Sequence, residues 1–433
     1  MPMGIGPGLS VTRFESGIPG WMAGMDLGWD FTQNVQYSGA TNPTDTHSAT
    51  VYAQSAAGVW SPFAANTLVQ TDLGLQTVPT RTNSIRNNSM VGAVPGSPGT
   101  PPTNWSASPQ TGYAFSIIGT GTEFGLPYID YRLSGTDASA RQHTVFFDTS
   151  TGITAANGET WTNSAFVRLV GGTTSGLGTI TLGMNENTSV GGFVTFGTQA
   201  ISPTASMARY SQVRTLSGGA TVARVWPWFR IDTTVGGTVD VTYRIYAPQM
   251  ELGAFASAPI LTTGSAAAVN GNQQVVDLTG RLSAGVGGIM QFVLPQGPAG
   301  SARVFSFDDG SVGNRVFCVA DTSAVTLQMT SSDAFQGSVT ALATPAISGT
   351  LYTAAFAASG NYFNMRIVGQ SLPTPDTVST FPVINRLQIA GASNSAGQNG
   401  YQITKRLALQ FGVQNAGTLD DLFAKATILA AVS

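Results

Sequence analysis

The chain has 433 residues, of which 9% are charged, with 52 glycines and a formal net charge of −3 at pH 7. So sparse and slightly negative a charge offers no basic patch to displace the counterions of a nucleic acid, and no window reaches the ~20 apolar residues of a membrane span. Only two lysines occur, Lys405 and Lys425, and Ser, Thr, Asn and Gly fill the surface; exposed helices need Glu, Lys and Arg, so the composition favours β structure with many short turns.

In chain order, residues 1–85 read as an N-terminal module. MPMGIGPGLS is expected to be flexible, since Gly and Pro leave little regular structure to build. It lacks the basic n-region and apolar core of a signal peptide, so the expectation is synthesis in a bacterial cytoplasm, with release by lysis. MDLGWDFTQNVQY and THSATVYAQSAAGVWSPFAANTLVQTD look like short strands around polar turns, with Trp21, Trp29 and Trp60 as packing residues. Residues 86–261 open on the Pro/Gly-rich SMVGAVPGSPGTPPTNW and continue as about nine short alternating strands separated by Gly, Asn, Asp and Thr turns. That spacing argues for an antiparallel sandwich or barrel.

The last two strands of this region, ATVARVWPWFRID and TVDVTYRIYAPQME, are expected to pair as a hairpin through a glycine turn. Alternate side chains of a strand lie on opposite faces. Val225, Phe229 and Ile231 therefore share one face, and Trp226, Trp228, Arg230 and Asp232 the other. Two indoles, a guanidinium and a carboxylate suit a polar ring ligand such as a sugar. Arg244 and Tyr246, as cross-strand neighbours ~5 Å away, complete the candidate carbohydrate-binding set. The competing reading is that both indoles pack under a loop or seal a junction.

Residues 262–270, TTGSAAAVN, form a small-residue linker, and residues 271–433 again read as β strands up to a C-terminal helix. In GTLDDLFAKATILAA, Leu419, Leu422 and Phe423 share a face, with Thr418 as the expected cap ahead of Asp421. The expected class is all-β: a small N-terminal β module (1–85), two β-sandwich domains (86–261 and 271–433) and a short terminal helix.

Catalytic constellations are missing from the sequence. The two histidines, His47 and His143, fall in different modules and build neither a Ser-His-Asp array nor a multi-His zinc site; His143 is expected at the surface or partly buried. Glu123, Asp130, Glu159 and Glu186 are carboxylates without a set separation. GTGTEFG and GGIMQF open no expected helix, which argues against a phosphate loop. The single Cys318 makes no disulfide framework and reads as a buried small hydrophobe. Asp308 and Asp309 in FDDGSVGNR read either as a Ca²⁺ site or as an Asp-Asp-Gly turn; the expectation is no cofactor, with Ca²⁺ as the alternative.

The stretch TVYAQSAAGVWSPFAANTLVQTDLGLQTVPTRTNSIRNNSM resembles the N-terminal module of phage and gene-transfer-agent spike or fibre proteins. The matching residues are Ala49 to Tyr52, Gly58, Ala65 to Thr67, Gly74, Leu75 and Arg81 to Asn83, while Val78, Pro79 and Thr80 depart from the acidic step usual there. YRIYAPQMELGAFASAPI is similar to the ending of carbohydrate-binding-module-like jelly rolls in phage fibres, where Glu251 would serve hydrogen bonding rather than catalysis. FSFDDGSVGNR, NYFNMRIVGQ, INRLQIAG, GYQITKRLALQ and LDDLFAKA together resemble a concanavalin A-like, laminin-G type sandwich. The resemblance implies a virion or phage-like particle protein, a head spike in preference to a tail fibre, that binds host capsular polysaccharide. It also implies docking of the N-terminal module on a capsid or adaptor protein and a symmetric homo-oligomer, a trimer by analogy. The alternatives are a capsule depolymerase or lyase and a decoration protein that binds nothing.

Overall fold

The computed structural model describes residues 18–148, 152–282, 284–295, 301–377, 379–391, 401–412 and 414–432. The opening MPMGIGPGLS lies outside the described residues. Strands are the regular structure of the described residues apart from a single 3-10 turn and one terminal helix, in keeping with a sequence poor in Glu and Lys. The chain divides into two compact units, residues 81–269 and a second that joins residues 1–80 to residues 270–433.

Nine strands of six or more residues build the 81–269 unit: β1 (Tyr113–Glu123), β2 (Leu126–Thr136), β3 (Arg141–Phe146), β4 (Thr160–Gly172), β5 (Leu177–Asn187), β6 (Phe193–Ile201), β7 (Ala208–Thr215), β8 (Arg224–Thr233) and β9 (Thr238–Leu252). They form two antiparallel sheets. One runs β1-β2-β9-β4-β7; the other runs β6-β5-β8-β3 and ends on the short strand Ser106–Ser108, with Ile153–Thr154 paired to β8. The inward residues of both sheets share one core, with Val225, Phe229 and Ile231 of β8 facing Val239, Val241, Tyr243 and Ile245 of β9. The Phe229 and Tyr243 rings meet edge to face at 5.9 Å between centroids. Each such buried side chain contributes about 1.5–3 kcal/mol of transfer free energy.

This arrangement corrects the expected hairpin. β8 and β9 are consecutive in sequence but lie in opposite sheets, so residues 234–237 form a corner between sheets rather than a hairpin turn. His143 also differs from expectation. It is fully buried, with its ring 4.5 Å from that of Tyr113 and 6.2 Å from that of Phe115. Burial, reinforced by the charge of Arg141, lowers its pKa to about 4.

Buried amides tie the two ends of the unit together. Arg81–Asn83 pairs with Ala267–Val269, and the side chains of Asn83 and Asn88 each donate to the carbonyls of Pro248 and Ile260. Glu251 accepts hydrogen bonds from the backbone N–H and the hydroxyl of Ser257. It is fully buried and serves the fold by hydrogen bonding, as the sequence suggested.

The second unit is also a sandwich. An eight-stranded sheet centres on Gln402–Phe411, Gly285–Val293 and Leu351–Ser359, and a seven-stranded sheet on Arg315–Ala320, Ala302–Asp308 and Arg386–Ile389. Residues expected in a separate N-terminal module supply strands to both: Leu27–Asp30 and Gly74–Thr77 pair with Gln402–Phe411, and Thr44–Thr46 pairs with Gln273–Asp277. Trp29 and Phe31, both buried, join the core between these sheets, which is why so thin a segment carries so many large aromatics. Cys318 lies in the same core as a free, buried thiol, and burial raises its pKa.

Helix α1 (Ala416–Ala431) covers the outer face of the eight-stranded sheet, with Leu419, Leu422, Ala426 and Leu429 against Ile289, Ala355, Ala357 and Ala408. Gly287 permits this approach, because a Cβ there would stand 2.8 Å from Leu422 Cδ1. The helix starts earlier than expected: Asn415 is the N-cap, and Thr418, the expected cap, sits three residues on and completes a reciprocal capping box. Phe423 is partly buried against the same cluster.

Candidate functional site

The outer face of the β6-β5-β8-β3 sheet carries an open groove of about 210 Å³. Its aromatic lining is Phe146 of β3, Phe193 and Phe196 of β6, and Trp228 of β8; its polar lining is Gln142 and Thr144 of β3, Asn185 of β5 and Arg230 of β8. The volume is below the ~300–1,000 Å³ of drug-sized sites, which suits one ring of a longer chain laid across an open face.

The alternation of β8 directs Trp226, Trp228, Arg230 and Asp232 outward, away from Val225, Phe229 and Ile231. Neither indole belongs to the sandwich core. Trp228 is nevertheless only 2% exposed. Its six-membered ring lies over Gly183, where a Cβ would come within 2.4 Å of it, and the Arg230 guanidinium stacks on the indole at 5.0 Å. Trp228 is thus the floor of the groove and not its exposed platform. Trp226 flanks the groove, with its ring edge-on to Phe146 at 6.2 Å between centroids.

The exposed rings are those of Phe193 and Phe196, 60% and 47% accessible, with centroids 6.2 Å apart. Strict alternation would place residues three apart on opposite faces. A β-bulge intervenes: Glu186 pairs with Thr195 and Asn187 with Phe193, which leaves Val194 unpaired. One extra residue reverses the phase, so both rings turn to the groove while Val194 packs against the core. A period of two does not reveal that these phenylalanines share a face, and the GGF turn before them is the sequence signal of an irregular strand.

Polar groups around Trp228 have defined orientations. The indole Nε1 donates to Asn185 Oδ1 at 2.9 Å, which fixes the amide so that its Nδ2 faces away from the indole. That Nδ2 makes no hydrogen bond among the described residues. Arg230 Nε lies 2.9 Å from Asp232 Oδ1. Burial raises the pKa of the Asp232 carboxyl, against the pull of Arg230.

Arg244 and Tyr246 are not part of this groove. With β9 in the other sheet, they project from the outer face of the β1-β2-β9-β4-β7 sheet and enter a closed network. Arg244 donates from Nε and Nη2 to the two oxygens of Asp130, at 2.7 and 2.8 Å, and from Nη1 to Glu123 at 2.9 Å. Arg168 donates to the other Glu123 oxygen at 2.8 Å, and the Tyr246 hydroxyl donates to Glu123 as well. The Arg244 guanidinium also stacks on Tyr128 at 3.6 Å. Burial acts to raise the Glu123 carboxyl, but the bonds from Tyr246 and Arg244 and the charge of Arg168 outweigh it and hold the pKa below the ordinary value. Tyr246 is wholly buried. Two cations meet two anions here, and the arrangement locks four strands together.

Of the remaining carboxylates, Glu186 is buried and accepts from Arg214 and from the N–H groups of Ser217 and Gly218. Glu159 accepts from Ala156 N–H and the Trp161 indole. In the other unit, Asp308 accepts from Arg386, Ser306 and Gly310 N–H, and Asp309 accepts from Ser311 N–H and Asn314. The two aspartates are engaged in a turn and an ion pair. Among the described residues, no three His, Cys, Asp or Glu side chains are grouped to hold a metal, and no helix is long and apolar enough to cross a membrane.

No family model matches the chain, and neither does any curated protein. Among solved structures, the chain is similar to domains LG4-5 of the mouse laminin alpha1 chain, at 11% identity and a TM-score of 0.24, over 65% of this chain and 92% of that one. It is likewise similar to the N-terminal CBM22-1-CBM22-2 tandem domain of Paenibacillus barcinonensis Xyn10C, at 9% identity and a TM-score of 0.24, over 74% of this chain and 99% of that one. At these scores neither similarity bears on what the chain does.

Proposed function

We propose that the 81–269 unit is a carbohydrate-binding module and that the chain is a receptor-binding spike or fibre subunit of a tailed phage or gene-transfer-agent particle, a head spike in preference to a tail fibre. The observation that carries the binding reading is the groove. Exposed Phe193 and Phe196 rings stand beside Asn185 and Arg230 donors held in position by Trp228. Apolar faces of sugar rings stack on aromatic side chains, while convergent polar groups orient the hydroxyls. The particle context rests on the resemblance of the 49–83 and 243–260 segments to phage and gene-transfer-agent spike proteins. On that reading the ligand is a host capsular polysaccharide, residues 1–85 dock on a capsid or adaptor protein, and several copies act together as a homo-oligomer, because avidity multiplies a weak single-site affinity.

Incubating the purified protein with capsular polysaccharide tests the function. Retention without shortening of the polymer is the expected outcome. Shortening would replace the proposal with a depolymerase or lyase, and absence of retention would leave a decoration protein. Immunolabelling of intact particles tests the location, and an unlabelled particle surface would remove the spike assignment.

A further inference from the structure

The groove is one-sided in its chemistry. Asn185 Oδ1 is already occupied by the Trp228 indole N–H, so the amide presents its Nδ2, a donor. Arg230 lies over the Trp228 ring with Nε in ion-pair contact with Asp232 but not hydrogen-bonded to it, and its two terminal nitrogens make no hydrogen bond among the described residues. Such a guanidinium offers its Nη1–Nη2 edge, a fork that matches the two oxygens of a carboxylate. Two donors, one of them a permanent cation, therefore border the ring platform on the side of β5 and β8.

We propose that the groove selects polysaccharides bearing carboxylates, such as uronic acids, and that Arg230 reads the charge while Asn185 Nδ2 takes a further oxygen of the same residue. This rests on the carbohydrate-binding reading above. Asp232 stands in ion-pair contact with Nε and leaves the opposite edge of the guanidinium to the ligand.

The test is retention of the full chain on immobilised alginate, polygalacturonate and hyaluronan, each beside a carboxyl-reduced form of the same polymer, with neutral dextran and galactan as further supports. At least one acidic support is expected to retain the protein. Carboxyl reduction should lower that affinity at least tenfold, and so should raising the salt from 50 to 500 mM, since exposed charge pairs are screened. Arg230→Gln should reproduce the loss, and Arg230→Lys should recover only part of it, because an ammonium lacks the fork. Asn185→Asp keeps an oxygen for the Trp228 indole but repels a carboxylate; it should weaken acidic binding by a similar factor with an unchanged melting temperature, which separates recognition from folding. Equal retention on the carboxyl-reduced polymer, retention on neutral supports alone, or wild-type binding by Arg230→Gln would overturn the acidic preference and leave carbohydrate binding standing. No retention on any of these supports would overturn the acidic preference, while retention on capsular polysaccharide decides the carbohydrate-binding reading by itself.

Discussion

The two outer faces of the 81–269 sandwich use similar residues to opposite ends. One carries an arginine stacked on an indole with its terminal nitrogens unspent, next to two exposed phenylalanines. The other carries Arg244 with bonds to Asp130 and Glu123, and Glu123 takes further bonds from Arg168 and Tyr246. Both faces hold Arg, Tyr or Trp, and a carboxylate. What separates them is pairing: on one face the carboxylates and the Arg244 guanidinium are spent on one another, while the other leaves donors and rings open. Residue type alone therefore does not identify a binding face. The count of satisfied partners does.

Substitutions can sharpen or break this contrast. The largest effect is expected for Trp228→Ala, which empties the groove floor; loss of a buried large aromatic costs about 3–5 kcal/mol, so both the urea midpoint and polysaccharide retention should fall. If melting stays intact, Trp228 is a ligand platform after all. Next comes Glu123→Ala, which leaves Arg244, Arg168 and Tyr246 each short of a partner and should cost about 2 kcal/mol with retention unchanged. Loss of binding in that variant would mean that the closed face is also a site. Phe193→Ala combined with Phe196→Ala should lower affinity about tenfold, or ~1.4 kcal/mol, and leave the melting temperature within the scatter of surface substitutions.

A last effect, absent at neutral pH, concerns neither face but the interior between them. The pKa of His143 falls from an ordinary 6.5 to about 4 in the folded chain, so between these values the unfolded chain binds a proton that the native one refuses. Stability is complete above pH 6.5 and declines as pH falls toward 4, with a slope of at most about 1.4 kcal/mol per pH unit. Urea titrations of the wild type and His143→Asn at matched pH should differ in that slope. Parallel curves would show that His143 takes up its proton without cost.

Much of this was legible in the sequence, and the misses have physical causes. Alternation in RVWPWFRID sorted inward from outward residues of β8 correctly. It could not say which sheet β9 would join, because an inward-outward pattern is the same on both sides of a sandwich, and a short Gly-containing connection serves a hairpin or a corner alike. Arg244 and Tyr246 therefore lie on a face that the alternation of their own strand does not reveal. Phe193 and Phe196 were lost to a bulge, which a period of two conceals. The partners of Leu27–Asp30 lie at Arg406–Leu409, and no local pattern links segments so far apart. The distinctive Arg81–Asn83 and APQMELGAFASAP segments turned out to hold one another by buried amides, so their order reflects closure of a fold and not chemistry on a ligand.

That closure has a consequence for how the protein is made. Residues 81–269 are an uninterrupted stretch whose ends meet, set inside a host whose own strands come from both sides of it. Because Leu27–Asp30 and Gly74–Thr77 pair with Gln402–Phe411, those earlier segments must wait on the ribosome until Gln402–Phe411 has emerged. The inner sandwich, complete far sooner, can fold while its host is still unfinished. Order of synthesis and order of folding thereby differ: Leu27–Asp30, made before the inner sandwich, finds its place after it.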